Sequence, residues 1–172
     1  MNMLFIITGA VALVSAVMTV TRSNAIHALL YMVVSLLSVG MIFYILGAPF
    51  AAALEVIVYA GAIMVLFVFV IMMLNINRSR SEEKQWIRPS AWTGPVILTL
   101  TLATELVYAL WPGTNGAFPI LVISPVEVGI SLFGPYLLGV ELASMLLLAG
   151  LVGAYHLAHH IGPARDREGD RL

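Results

Sequence analysis

Residues 54–67 read LEVIVYAGAIMVLF, and how this stretch winds decides the fold. An acid, Glu55, stands one helical turn before a phenol, Tyr59, and three small residues follow: Ala60, Gly61 and Ala62. The stretch lies inside an apolar run, 50–74, whose one charged residue is Glu55. A hydrocarbon layer about 30 Å thick is crossed by roughly 20 residues of helix at about 1.5 Å each. The run is therefore long enough to span a bilayer. In lipid every backbone amide must find its partner within the segment, which favours a helix, and the run lacks the alternation of a barrel strand.

Four further stretches qualify on either side, at about 3–20, 27–46, 91–111 and 136–157. Hydrophobic residues make up 61% of the 172 and charged residues 10%. A soluble domain has roughly 45–50% and about 25%. A chain of this size has too little interior for so much apolar side chain, so lipid must cover part of it. The sequence predicts an all-α membrane protein: one five-helix transmembrane domain over 1–160 and a polar tail over 161–172. A net charge of −1 offers no electrostatic footprint for nucleic acid. Without cysteine, this chain can supply neither thiolate zinc ligands nor cysteine ligands for iron–sulfur clusters.

The positive charges fall into a pattern. Arg22 follows the first span. Arg78, Arg80, Lys84 and Arg88 lie between the third and fourth, and Arg165, Arg167 and Arg171 follow the fifth. These are all 8 Lys and Arg residues. With five spans they share one face of the membrane, and the positive-inside rule makes that face cytoplasmic. The N-terminus is then expected on the periplasmic side and the C-terminus in the cytoplasm. The first span is read as a retained helix, because a signal peptide carries its positive charge before the apolar core, and Arg22 comes after. The 79–89 connection reads as a charged cytoplasmic loop. The 112–135 connection holds Pro112, Pro119, Pro125 and Pro135 and cannot be a sixth span; its apolar middle, 118–123, suits the interface or a partner.

Three carboxylates fall within spans: Glu55, Glu105 and Glu141. Acids in lipid cost about 2.5–3.5 kcal/mol near a helix centre and usually face the bundle interior or a cavity. Glu55 and Glu141 are read as protonatable or hydrogen-bonding sites, against the plainer reading of acids that reach the headgroups. For Glu105 the plainer reading is preferred, since Tyr108 and Trp111 suit an interfacial belt. Tyr59 shares a face with Glu55 by the i, i+4 relation. Gly61 weakens its helix by about 1 kcal/mol against alanine. Close helix packing and a local π-bulge are both open at Ala60-Gly61-Ala62. His156 and His160 are spaced like metal ligands but lack a third donor, so no metal is expected; cations at a helix C-terminus are the simpler account. His27 follows Ser23-Asn24, a plausible cap. Ala149 and Gly153 predict a close helix neighbour.

Three stretches carry a family resemblance: ALEVIVYAGAIMVLFVFVIMMLN at 53–75, HALLYMVVSLLSV at 27–39 and LFGPYLLGVELASMLLLAGLVGA at 132–154. The chain resembles the J subunit of proton-pumping NADH:quinone oxidoreductase, bacterial complex I, the counterpart of the sixth mitochondrially encoded subunit. It departs from the family at Asn24-Ala25, where relatives often have Asn-Pro, and at Gly139-Val140, where many have a proline before the glutamate. The resemblance implies a multi-pass subunit of the bacterial inner membrane that holds no cofactor, with NADH, FMN, iron–sulfur clusters and quinone bound by partner subunits. It implies a place among the small membrane-arm subunits between the quinone site and the antiporter-like subunits. It further implies a π-bulge at Tyr59–Ala62 whose conversion to regular helix gates a water wire. Glu55, Tyr59, Gly61, Ala62, Val65, Phe67 and Glu141 are the expected proton-path and gating residues. A purely structural scaffold is the alternative. An independent transporter fits poorly, since the chain has no internal repeat.

Overall fold

The computed structural model describes residues 2–73, 89–111 and 122–160 and is all-helical over them. It divides into two compact units, Met1–Ser124 and Pro125–Leu172. Five helices are long and apolar enough to cross a membrane: Met3–Thr21, Ala25–Ile45, Pro49–Met73, Trp92–Leu110 and Leu137–His159. Each expected span is present, with ends displaced by a few residues.

In the first unit, α1 (Asn2–Thr21) and α2 (Ala25–Ile45) are joined by a tight turn. The Asn24 side chain caps α2 by accepting the Ile26 N–H at 3.0 Å. The far end of α2 closes as a Schellman motif: the Ala48 N–H donates to the Phe43 carbonyl at 3.0 Å and the Gly47 N–H to Tyr44 at 3.1 Å. Gly47 takes φ 84°, where a side chain would be strained. Pro49 then starts α3 (Pro49–Leu54), its missing N–H being one that no helix start uses. The third span continues through a π-helical segment, Glu55–Ile63, into α4 (Met64–Met73). The fourth span is α5 (Pro89–Leu110), with Pro95 inside it.

The buried positions explain why these helices meet. On α2 they are His27, Tyr31, Val34, Ser38, Gly40, Met41 and Ile45. Gly40 aside, they recur every three or four residues, the seam of two helices in knobs-into-holes contact. Thr8, Val11 and Ser15 form the matching stripe on α1, and Leu102, Glu105 and Ala109 the stripe on α5. Met41, Ile45, Leu102 and Ala109 form one buried cluster, flanked by Leu4, Leu37 and Tyr44. Small and polar residues crowd these seams, while Leu13, Val17, Ile97 and Leu100 face outward. That arrangement suits a lipid solvent: outward apolar groups cost nothing there, and close contact and hydrogen bonds hold the helices together. Ser15 and Ser38 satisfy their hydroxyls on the Val11 and Val34 carbonyls, and Ser35 crosses to the Ala12 carbonyl of α1 at 3.2 Å.

One end of this unit gathers the groups expected at a membrane surface. The Arg22 guanidinium lies 5.6 Å above the Tyr31 ring, and His27 meets Trp92 edge-on at 6.3 Å. Near the other end, the Ile123 N–H donates to the Gly47 carbonyl at 2.9 Å. Part of the apolar 118–123 stretch is thus tied to the α2–α3 turn. Residues 118–121, the 79–89 loop, except for Pro89 at the start of α5, and the 161–172 tail lie outside the described residues.

The second unit holds a helix the sequence reading did not anticipate. Residues Pro125–Phe133 form α6, nine residues with Glu127 in the first turn. That is about 13 Å of helix, too short to span, as the prolines of this region required. A turn follows in which the Tyr136 N–H donates to Ser131 and Leu137 N–H to Gly134. A Cβ on Gly134 would meet the Ile130 carbonyl oxygen at 2.7 Å, so the turn needs glycine. The chain then enters α7 (Leu137–His160). Tyr155 stacks on His159 at 6.1 Å. A Cβ at Gly153 would find no atom within 4 Å.

Candidate functional site

The third span is where the helix changes its winding. The Glu55 amide still reaches back to the Ala51 carbonyl, four residues away, and the chain then widens into a π-helix over Glu55–Ile63, whose defining bond runs five residues back. The segment ends where the Met64 N–H is shared between the Tyr59 and Gly61 carbonyls. Gly61 is suited to this winding. A Cβ there would lie 3.2 Å from the Val56 carbonyl oxygen, five residues back, closer than a side chain settles without movement.

The wider winding has a geometric use. Ala52 and Met64 are both buried, and α2 runs beside α3, the π segment and α4. Twelve residues of regular helix make three turns and a third, which would set these positions about 120° apart. Spreading more residues over each turn removes most of that offset, so the helix keeps both residues covered.

Glu55 opens the π segment and is half-buried. A Cβ placed on Gly40 of α2 would lie 3.7 Å from Glu55 Cγ and 3.5 Å from Val56 Cγ2, so α2 passes beside the acid at Gly40. Tyr59 follows in the same segment with 49% of its surface exposed. Gly61 is half-buried and Ala62 exposed. Val65 and Phe67 lie beyond the segment on α4 and are exposed. Glu55, Tyr59, Gly61 and Ala62 thus share one π-wound element, with Val65 and Phe67 just past its end. Glu141 lies in the other unit, exposed on α7. An apolar groove of about 580 Å³ borders the segment, lined by Leu37, Gly40, Ala52, Val56, Leu102 and Leu106 among others.

The deepest acid is the one the sequence reading placed at the interface. Glu105 is 6% exposed, on the same stripe as Leu102 and Ala109. Its Oε2 lies 2.8 Å from the Thr8 hydroxyl, which is fully buried on α1, and its Oε1 has no hydrogen-bond partner among the described residues. Tyr108 and Trp111, the belt residues, are exposed. Glu105, by contrast, is enclosed between α5 and α1 rather than exposed beside them. The available signal was the three- and four-residue spacing Leu98, Leu102, Glu105, Ala109, which puts Glu105 in the line of the seam.

Chemically, the third span sets a carboxyl, Glu55, at the head of a π-wound stretch of backbone. Among the described residues no three His, Cys, Asp or Glu side chains converge as metal ligands.

Comparison with known proteins bears on the same region. Residues 15–157 match the family described as NADH-ubiquinone/plastoquinone oxidoreductase chain 6. The chain is 52% identical over 158 residues to the NADH-quinone oxidoreductase subunit J of Escherichia coli strain K12, covering 91% of this chain and 86% of that protein. It is 54% identical over 159 residues to the subunit J of Pseudomonas aeruginosa, covering 91% and 96%. The subunit J of Buchnera aphidicola from Schizaphis graminum is 46% identical, covering 91% and 97%.

Proposed function

The chain belongs to the NADH-ubiquinone/plastoquinone oxidoreductase chain 6 family, and on that premise we propose that it is a membrane-arm subunit that helps couple quinone reduction to proton translocation. The observation that carries this reading is the π segment Glu55–Ile63, an acid at its head and a glycine in its body, inside a membrane span. A proton does not cross dry hydrocarbon as a bare charge and needs a relay of hydrogen-bonding groups. Rewinding the segment to regular helix turns Val65 and Phe67 relative to α2. Water then enters or leaves the space beside Glu55 and Tyr59. Redox chemistry belongs to partner subunits that hold NADH, FMN, iron–sulfur clusters and quinone; this chain contributes the gate.

The same reading sets the chain in the bacterial inner membrane, N-terminus periplasmic and C-terminus cytoplasmic, as the arginine and lysine partition requires. Its neighbours are the small membrane subunits between the quinone site and the antiporter-like subunits. Glu141 serves as a further protonatable group facing such a neighbour.

Gly61→Val tests the gate. A branched side chain at this position crowds the Val56 carbonyl in the π winding. In the assembled complex, quinone-coupled proton pumping should fall while NADH oxidation by the peripheral part survives. Normal pumping in a fully assembled Gly61→Val complex refutes gating. The second reading, a structural scaffold, draws on the largely exposed apolar surfaces of α4 and α7. It predicts that Glu55→Gln changes assembly or nothing, and leaves pumping per assembled complex intact.

A further inference from the structure

Thr8 and Glu105 pose a question of proton count. The Thr8 hydroxyl oxygen lies 2.8 Å from the Leu4 carbonyl oxygen and 2.8 Å from Glu105 Oε2. A hydroxyl has one proton to give and lone pairs with which to accept. It can serve the carbonyl or the carboxyl as donor, not both at once.

The chain's habit decides which. Ser15, Thr19, Thr21, Ser38, Thr101, Thr104 and Ser144 each donate to the carbonyl four residues back. Thr8 has the same geometry toward Leu4. A backbone carbonyl has no proton, so the Thr8–Leu4 contact exists only if Thr8 donates. The contact with Glu105 then needs its proton from the carboxyl. A second observation agrees. Glu105 is 94% buried, and its Oε1 meets no donor among the described residues. An ionised carboxylate there would hold a full charge in a sealed seam with one oxygen unsupported. A neutral acid leaves only a carbonyl oxygen unpaired, a far smaller loss.

We propose that Glu105 is a proton-occupied site: a neutral carboxylic acid whose O–H donates to Thr8 Oγ1 and clasps α5 to α1. It is distinct from the acid of the π segment, sits on other helices, and does not depend on the gating role assigned there. The ligand is a proton, held where the fold has already sealed the group from water.

Infrared spectroscopy of the full chain in lipid nanodiscs, labelled with ¹³C at glutamate carboxyls, tests this at neutral pH. The wild-type minus E105Q difference should contain one protonated-carboxyl carbonyl band that moves in D₂O. In Thr8→Val the band should persist and rise in frequency, because the acid has lost its acceptor. E105Q keeps a neutral hydrogen-bonding group of the same shape, and helical circular dichroism confirms its fold. Loss of a carboxylate stretch in E105Q, with no carbonyl band lost, overturns the proposal. So does a carbonyl band that does not respond to Thr8→Val, since the proton would then sit elsewhere. Should E105Q fail to fold, the Thr8→Val response of the labelled wild-type band decides alone.

Discussion

Gly94 of α5 is the floor on which the Tyr31 hydroxyl of α2 rests: a Cβ at residue 94 would overlap the phenol oxygen. Tyr31 is almost fully buried, with the Arg22 guanidinium over its ring. The missing side chain at one position and the large one at the other are a single packing unit joining two spans.

Gly94→Ala should therefore destabilise the chain by about 1–3 kcal/mol, the usual cost of overpacking. Tyr31→Phe removes the colliding oxygen and should recover part of the loss in the double variant. Gly9→Ala is the control, since a Cβ there meets nothing within 4 Å. Unfolding of the full chain in lipid nanodiscs measures all four. A Gly94→Ala chain as stable as the Gly9→Ala control would contradict the packing described.

Thr8→Val should cost about 1–3 kcal/mol, because it leaves a buried carboxyl with no partner. Glu105→Leu should cost less, since Thr8 still donates to Leu4. The double variant should be close to wild type, as removing both members of a buried polar pair often is. The double-mutant cycle over these chains reads the coupling directly. Additive costs would mean that the two groups do not depend on one another.

Asn24→Ala removes the side chain that accepts the Ile26 N–H. A lost N-cap costs about 0.5–2 kcal/mol. Hydrogen exchange at residues 25–28 should speed up while that of α5 stays unchanged, as seen by mass spectrometry of the full chain.

Gly61→Ala is the mild form of the gating test. One methyl group meets the Val56 oxygen at 3.2 Å and tilts the segment toward regular winding. Density maps of the assembled complex should show a shortened π segment, with pumping reduced less than in Gly61→Val. Unchanged winding in both variants would separate glycine from the gate.

The spans were legible because lipid imposes so blunt a rule. Length and hydropathy suffice for existence, and the Asn24 cap could be read from residue type alone. The seams were partly legible. His27, Tyr31, Val34, Ser38, Met41 and Ile45 can be counted off the sequence at three- and four-residue steps, yet period alone does not name the partner helix. Glu105 was misread because nearby aromatics, Tyr108 and Trp111, were allowed to speak for it, although it also stands three residues after Leu102 and four before Ala109, in line with the seam. The π winding is a cooperative property of nine residues. Gly61 marks where it is cheap, but the need for it arises from Ala52 and Met64 both packing inward, which only the folded chain displays. The short helix Pro125–Phe133 was hidden by Pro125, Gly129 and the Gly134-Pro135 pair that follows it, which speak first of turns.

Met64 is the hub on which any such rewinding would turn. With 1% of its surface exposed, it is the one residue of α4 that is fully enclosed. Tightening the nine residues above it acts like a crankshaft: it swings Met64 sideways through roughly a third of a revolution and drags the rest of α4 along. The thioether must leave its socket before the crank completes its stroke. On the proposed gating, that departure adds its cost to that of the hydrogen bonds that change register. Unbranched, flexible methionine would suit such a plug, able to come out and go back.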